Sequence, residues 1–229
     1  MKQTKQLILI GGIIALYSSF LVENVGMAQG LSNAEVTMQE GNQVTRPVDP
    51  SNPDQPKLPD KDDSQGTGEL GPLSIDFIST FEFGKQPISE NTVVYKAKNK
   101  LPYIQVTDTR GTDEGWQLTA SITPFRDTEN RVLKGAQLLL QNGQKRTSSS
   151  NVSEEPTVDK KILLDSEESQ LVMQAKKGSG RGTWLVVWPA FDQVDTNENV
   201  SLQVLGNSAY PTKYSATINW SLVSGPETL

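Results

Sequence analysis

Cysteine and histidine are both absent from this chain of 229 residues. Without cysteine the protein can form no disulfide and cannot carry a lipid on an N-terminal cysteine, so its stability must come from an ordinary hydrophobic core. Without histidine it lacks the commonest general base and the commonest metal ligand. Ser-His-Asp, Cys-His and zinc chemistry are therefore excluded, and we expect neither a metal ion nor a cofactor.

Long apolar runs are also scarce, and the one present lies at the start of the chain. Two lysines precede an apolar run over residues 7–22, and the small residues Gly26, Met27 and Ala28 follow it. This order is typical of a secretory signal peptide. Because the unbroken apolar core is shorter than the ~20 residues that a membrane-spanning helix needs, we predict a signal peptide over residues 1–28, cleavage after Ala28 and no membrane span in the mature protein.

Basic residues are fewer than acidic ones: the chain has 21 lysines and arginines and 27 aspartates and glutamates. Cleavage after residue 28 would leave 19 basic and 26 acidic residues. This balance does not favour attraction to nucleic acid or to anionic membranes, so we expect no nucleic-acid partner. Phosphate-rich wall polymers would repel the chain at long range as well. Any attachment to a wall must therefore use specific contacts.

Prolines are concentrated in one acidic stretch, where they recur at every third position. They are Pro47, Pro50, Pro53, Pro56 and Pro59. This spacing matches the three residues per turn of polyproline II and predicts a stiff, extended spacer over residues 46–69, with a reach of roughly 60 Å between Arg46 and Ser64. A P-x-x-P ligand and a calcium loop are the alternatives, but the acidic spacing lacks the glycine and the terminal glutamate of such a loop. The preceding segment, residues 29–45, contains a candidate edge strand at Glu35–Met38.

From Leu70 onward, short alternating apolar runs are separated by turn residues, and no long window keeps a helical period. The predicted strands lie at 73–77, 93–95, 103–106, 136–140, 160–164, 171–175, 184–188, 200–205 and 214–223. The segment 184–188 is apolar on both faces, which is typical of a central strand. Residues 142–157 are predicted to form a long exposed loop. The sequence thus predicts an all-β fold, with one β-sandwich or barrel-like domain over residues 70–229.

Two segments repeat a Trp-x-Leu pattern, one at Trp116 and Leu118 and the other at Trp220 and Leu222. Side chains two apart leave a strand on the same side, so each segment places an indole beside an isobutyl group on one face. In the second segment the Trp220 face also carries Tyr214, Ala216 and Ile218, whereas the opposite face is entirely hydroxyl or amide. Two interpretations stay open: the Trp-x-Leu side chains form the core of a sandwich, or they form an aromatic surface for sugar rings.

These segments resemble the WxL family of cell-surface proteins of low-GC Gram-positive bacteria. The run from Tyr214 to Pro226 follows the family's distal pattern and departs from it only at Asn219, where threonine is usual. The run from Val106 to Gly111 and on into Gly115–Leu118 matches the proximal motif. Further blocks resemble the family's domain entry and its penultimate block: Gly71–Phe77, Phe83-Gly84, Gly178–Gly180 and Gly182–Trp184.

The resemblance implies noncovalent association with peptidoglycan through the C-terminal domain, on the surface of a Gram-positive cell. It also implies partners, namely a WxL-interacting surface protein, other WxL proteins and, through them, host matrix. The residues that it singles out as the wall-binding motif are Trp116, Leu118, Tyr214, Ile218, Trp220 and Leu222. The sequence shows neither a Leu-Pro-x-Thr-Gly sorting signal nor a lipid-bearing cysteine, so we expect a secreted protein that is held on the wall without a covalent anchor.

Two other functions compete with this one. A glycan-cleaving enzyme needs only two carboxylates, and the candidates are the pairs Asp108 with Asp113 and Asp192 with Asp195. Acidic residues at turns are ordinary turn formers, so we expect no enzyme. A protein-interaction module would use an edge strand or the Tyr214-to-Leu222 face to pair with a partner, and its retention on the wall would then be indirect.

Overall fold

A computed structural model describes residues 32–58, 66–191 and 195–225. The predicted signal peptide and its cleavage after Ala28 lie outside these residues. Within the described ranges the chain forms β-strands and no helix. The strands are β1 (Val48–Asp49), β2 (Asn52–Pro56), β3 (Leu73–Ile78), β4 (Val93–Ala97), β5 (Tyr103–Asp108), β6 (Trp116–Ile122), β7 (Gln137–Gln141), β8 (Gln144–Thr147), β9 (Thr157–Val158), β10 (Lys161–Leu164), β11 (Gln170–Ala175), β12 (Gly182–Val187), β13 (Asn197–Val204) and β14 (Ile218–Ser224). The predicted all-β class is confirmed.

The strands form three antiparallel four-stranded sheets and one hairpin. The first sheet, which we call the Trp-x-Leu sheet, has the order β14-β6-β11-β9. The second, the Asp76 sheet, has the order β3-β5-β12-β8, and the third has the order β10-β7-β13-β4. The strand predicted to be central, β12, does lie between two neighbours. The described residues from Met38 onward belong to one compact unit, and that unit contains the fourteen strands named above.

One main hydrophobic core receives side chains from all three sheets. Trp116 and Leu118 enter it from the Trp-x-Leu sheet, Val106 and Trp184 from the Asp76 sheet, and Leu140 from the third sheet. All are nearly or fully buried. Since burial of a large apolar side chain contributes about 1.5–3 kcal/mol, the core can hold the domain together without disulfides, as the absence of cysteine requires.

The first part of the Pro/Asp-rich segment differs from the extended spacer expected over residues 46–69. Strands β1 and β2 pair as a hairpin, and the Ser51 N–H donates to Asp49 Oδ1 at 2.7 Å in its turn. A strand that is not central tolerates prolines because their missing N–H groups are not needed for a second neighbour. The recurrence of proline at every third position is therefore compatible with a hairpin, and it did not by itself establish an extended spacer. Residues 59–65 lie outside the described ranges, and the role of the segment as a spacer stays a prediction there.

The hairpin docks on the Asp76 sheet through the side chain of Gln105. The Val48 N–H donates to Gln105 Oε1 at 2.8 Å, and Gln105 Nε2 donates to the Arg46 carbonyl at 3.2 Å. Tyr103 Oη donates to the Val48 carbonyl at 2.9 Å. Val48 also packs on a small apolar cluster that includes Tyr103 and Phe77. The hairpin is thus bound by backbone-directed hydrogen bonds as well as by apolar contact.

Beneath the hairpin lies a buried carboxyl group, that of Asp76. It accepts hydrogen bonds from Thr107 Oγ1 at 2.6 Å, from Ser74 Oγ at 2.7 Å and from Gln105 Nε2 at 2.9 Å. Burial raises the pKa of Asp76 above its ordinary value of 3.8, although these donors act in the opposite direction. The desolvation of the charge therefore outweighs the hydrogen bonds that favour it.

Two smaller expectations also differ from the structure. Glu35–Met38, the candidate edge strand, has no strand structure, and Val36 and Met38 are exposed. The predicted loop over residues 142–157 contains β8, which pairs with β12 through contacts such as Arg146↔Leu185. Strand β8 was not predicted because its four residues, Gln144–Thr147, are all polar. They lack the alternation of apolar and polar residues from which the other strands were predicted.

Replacement of Asp76 by asparagine is expected to destabilise the fold by about 1–3 kcal/mol, because the amide nitrogen would face hydrogen-bond donors. A raised pKa in the folded state means that the wild-type carboxyl stabilises the fold fully below its ordinary pKa, and that this contribution is lost as the pH rises through the folded-state value. Asp76→Asn should therefore cost less stability at about pH 8 than at about pH 4, as measured by urea unfolding at both pH values. A larger cost at the higher pH would show that the fold favours the charged carboxylate.

Candidate functional site

The two Trp-x-Leu strands are direct neighbours in one sheet. Strands β6 and β14 pair antiparallel with no register shift, and Leu118 lies opposite Leu222 while Ala120 lies opposite Trp220. The two motifs are about a hundred residues apart in the sequence, so no local pattern indicated this pairing. The repeated motif is therefore one continuous structural feature rather than two separate sites.

Trp116 and Leu118 are core residues, each with 0% of its surface exposed. The only polar atom of the Trp116 side chain, Nε1, donates to the Gly180 carbonyl at 2.9 Å. Gly180 has a φ of +78°, and a Cβ at this position would lie 2.3 Å from the Ala175 Cβ and 2.8 Å from Trp116 Nε1. Only glycine fits this approach. For the first motif, the core interpretation is correct.

The second motif lies on β14, an edge strand of the sheet. Trp220, Leu222 and Ile218 are half-buried against the main core. Tyr214 is half-buried as well, packs on a second cluster that contains Leu133, and accepts a hydrogen bond on Oη from the Tyr210 N–H at 3.0 Å. Alternate residues are exposed along the whole strand, as the sequence predicted. The residues singled out as the wall-binding motif thus form a hydrophobic spine, and each contacts the interior of the domain.

Arg110 links the end of β14 to the start of β6 by hydrogen bonds. Its Nη2 donates to Asp108 Oδ2 and to the Gly115 carbonyl, both at 2.8 Å. Its Nη1 donates to Ser224 Oγ, which in turn donates to Glu114 Oε2 at 2.9 Å. The hydrogen bonds to Asp108 raise the pKa of Arg110 above its ordinary value, so the guanidinium stays charged. These contacts could not be predicted from the sequence, because Arg110 and Ser224 are brought together only by the pairing of the two strands.

The carboxylates considered for catalysis are found in ion pairs. Asp108 is buried against Arg110, and Asp113 lies 3.5 Å from Arg181. Asp195 is exposed and lies 3.9 Å from Lys100, whereas Asp192 is outside the described residues. In the part of the chain that the structure describes, no three acidic side chains are grouped closely enough to hold a metal ion. No helix in that part has the length and apolar character to cross a membrane.

The Trp-x-Leu sheet has an uncharged outer face on the side opposite the core. None of its four strands contains Asp, Glu, Lys or Arg, whereas each of the other four-stranded sheets carries at least three charged residues. Cross-strand pairing places the side chains of this outer face in rows. Its members are Asn219, Ser221 and Val223 on β14, Gln117, Thr119 and Ser121 on β6, and Leu171 and Gln174 on β11.

The free edge of β14 presents unpaired backbone groups. The Thr123 N–H donates to the Thr217 carbonyl, and the Gly225 N–H donates to the Gly115 carbonyl. Hydrogen-bonded pairs alternate in an antiparallel ladder, so the odd-numbered residues of β14 bond to β6. The N–H and C=O groups of Ile218, Trp220 and Leu222 therefore point away from the sheet. Within the described ranges they have no hydrogen-bond partner.

Together these features define an all-β protein whose two Trp-x-Leu strands are paired in one uncharged sheet. The chain belongs to the WxL family: the model of the family described as "WxL domain surface cell wall-binding" matches residues 26–226. Membership of this family supports a role in binding the cell wall at the cell surface. No curated protein and no solved structure matches the chain.

Trp116→Ala is expected to lower the free energy of unfolding by about 3–5 kcal/mol, because it empties a fully buried indole site. Trp220→Ala should cost roughly half as much, since that indole is half-buried on an edge strand. Chemical denaturation of each purified variant measures both values. Phe191→Ala is the control, because the Phe191 side chain is 61% exposed and its loss should change stability by about 0.5 kcal/mol or less. Equal costs at Trp116 and Trp220 would contradict the assigned difference in burial.

Proposed function

We propose that this protein is exported, is not an enzyme, and associates noncovalently with peptidoglycan through its C-terminal β domain. The observation that carries the proposal is the uncharged sheet that contains both Trp-x-Leu strands, in a chain that belongs to a wall-binding family. A net charge of -6 disfavours attachment by simple attraction to anionic polymers. A sheet without charges is a surface of this acidic protein that can approach the wall without local repulsion.

The start of the sequence supports export. The lysines, apolar run and small residues at the start of the chain have the order of a signal peptide. In the proposed function, the contacts of the folded domain hold the exported protein at the cell surface.

A protein-interaction module is the second candidate, and the free edge of β14 favours it. Unpaired N–H and C=O groups at Ile218, Trp220 and Leu222 can bind an extended segment of another chain by adding a strand to the sheet. A WxL-interacting surface protein or another WxL protein would then hold this chain on the wall. Contact with host matrix would follow from the same complex.

Sedimentation with purified peptidoglycan distinguishes the two candidates. We expect the mature protein, residues 29–229, to pellet with protein-free peptidoglycan in a saturable manner. An unrelated acidic β protein of similar size is the control for trapping in the pellet. If the protein stays in the supernatant and pellets only after a surface-protein fraction is added, direct binding is wrong and retention through a partner is supported.

A release assay tests the non-enzymatic part of the proposal. Purified walls incubated with the mature protein should release no more soluble sugar or peptide than walls in buffer alone. Steady release that is abolished by Asp113→Asn or Asp195→Asn would show catalysis, because both side chains are at least half exposed and their replacement should leave the fold intact. Asp108→Asn is a poorer probe, since it removes the buried carboxylate that pairs with Arg110 and would disturb the fold.

A further inference from the structure

The outer face of the Trp-x-Leu sheet carries polar groups that the protein itself does not use. No intramolecular hydrogen bond is made by the side chains of Gln117, Thr119, Ser121, Asn219 and Ser221 anywhere in the described ranges. Gln117 and Ser121 are only 7% and 9% exposed, but the buried side-chain polar atoms that lack a partner in the described ranges are Trp188 Nε1 and Glu198 Oε2. The polar atoms of this face therefore reach the surface. Because these amides and hydroxyls have no internal partner, a ligand that binds them breaks no hydrogen bond within the protein.

The geometry of this face suits an extended ligand. Neighbouring strands lie about 4.8 Å apart, and side chains on one face recur about every 6.7 Å along a strand. Three strands thus provide a grid roughly 10 Å wide. Leu171 and Val223 lie in different rows of this grid, opposite Thr119 and Gln117 respectively. The face therefore alternates small apolar contacts with hydrogen-bonding groups.

The absence of charge restricts what this face can recognise. Phosphates and carboxylates are bound in proteins by arginine, lysine and charge-assisted hydrogen bonds, and none of the four strands offers such a side chain. Hydroxyl and acetamido groups, by contrast, are matched by neutral amides and hydroxyls that both donate and accept. The C–H faces of sugar rings are matched by aliphatic side chains. The chemistry of the face fits a neutral, N-acetylated sugar chain.

The groove that contains Phe191 is a weaker site for the same ligand. It encloses about 520 Å³, and its lining includes Asn142, Arg146 and Asn199. Its polar groups are already occupied: Asn142 Nδ2 donates to Asn199 Oδ1 at 2.9 Å, Asn199 Nδ2 donates to the Pro189 carbonyl at 2.6 Å, and Arg146 Nη1 donates to the Pro50 carbonyl at 2.5 Å. A ligand in this groove would have to break bonds that the outer face does not make.

We propose that the outer face of the Trp-x-Leu sheet binds the N-acetylated glycan backbone of the wall, rather than its peptides or its phosphate polymers. This inference rests on the proposed function, binding to peptidoglycan, and assigns the surface and the ligand chemistry. The Trp-x-Leu side chains hold the sheet from within, and the outer-face residues Thr119, Asn219 and Ser221 make the contact. The motif residues thus position the site without touching the glycan.

The test uses the mature protein, residues 29–229, with two face variants. Asn219→Asp places one negative charge on the face without changing the side-chain shape. Its matched control is Asn91→Asp, which adds the same charge at an exposed residue before β4 in another sheet. Thr119→Val removes a hydroxyl without changing the volume. Thermal unfolding of all variants checks that the fold is retained.

Binding is measured by sedimentation with peptidoglycan from which phosphate polymers have been removed, and by competition with soluble oligomers of N-acetylglucosamine. We expect Asn219→Asp and Thr119→Val each to weaken binding roughly tenfold, and Asn91→Asp to leave it unchanged. The oligomers should compete, whereas free wall peptides should not. Because no ion pairs are involved, a rise in salt from about 0.05 M to about 0.5 M should not weaken binding.

The outcomes separate this inference from the proposed function. If the wild-type protein pellets and both face variants pellet equally well, the assigned face is wrong while wall binding stands. Weaker binding in Phe191→Ala, with the face variants unaffected, would place the site in the groove. Competition by phosphate polymer or by wall peptide instead of the sugar oligomers would overturn the assigned ligand. If the wild-type protein does not pellet at all, the proposed function and this inference both fail.

Discussion

The burial of the Trp116 indole is the constraint on which the rest of the Trp-x-Leu sheet depends. The ring has no exposed surface, and its one polar atom is satisfied by the Gly180 carbonyl at 2.9 Å. That contact requires glycine at 180, where any Cβ would collide with Ala175 and with the indole itself. It therefore joins the start of β6 to the turn that follows β11, its partner strand. With β6 fixed in this position, β14 can pair along its other side.

In the proposed arrangement, the inner face of this sheet stabilises the fold and the outer face binds the ligand. The inner face is apolar and packs on the main core, fully at Trp116 and Leu118 and in part at Trp220 and Leu222. The outer face carries no charge and makes few internal hydrogen bonds. In a chain with a net charge of -6, a sheet without charged residues is a local exception, which supports its assignment as the proposed contact surface. The residues that identify the family and the residues proposed to bind are thus neighbours in sequence but lie on opposite faces.

Patterns in short stretches of sequence correctly predicted those features that depend on neighbouring residues. The strict alternation from Tyr214 to Leu222 predicted the two faces of β14 correctly. Apolar and polar residues alternate along a strand that has one buried face, so a short stretch of sequence shows which side chains point inward. The pairing of β14 with β6 and the contact of Arg110 with Ser224 depend on residues that are 96 to 114 positions apart in the sequence. The hairpin of β1 and β2 was missed for the same reason, since Gln105 and Tyr103 hold it from distant positions. The long-range partners decided these features, and no short window contains them.

The register of β6 determines both which of its side chains enter the core and which lie on the outer face. A slip of one residue would turn Gln117 and Thr119 into the core and expose Trp116 and Leu118, because side chains alternate at every position. Gly115 helps to exclude this slip: its φ is +76°, and a Cβ there would lie 2.3 Å from the Ala175 carbonyl oxygen. Arg110 adds a second restraint by binding the Gly115 carbonyl. A glycine and an arginine just before the strand, neither of them part of the Trp-x-Leu motif, thus determine which side chains the sheet presents to solvent.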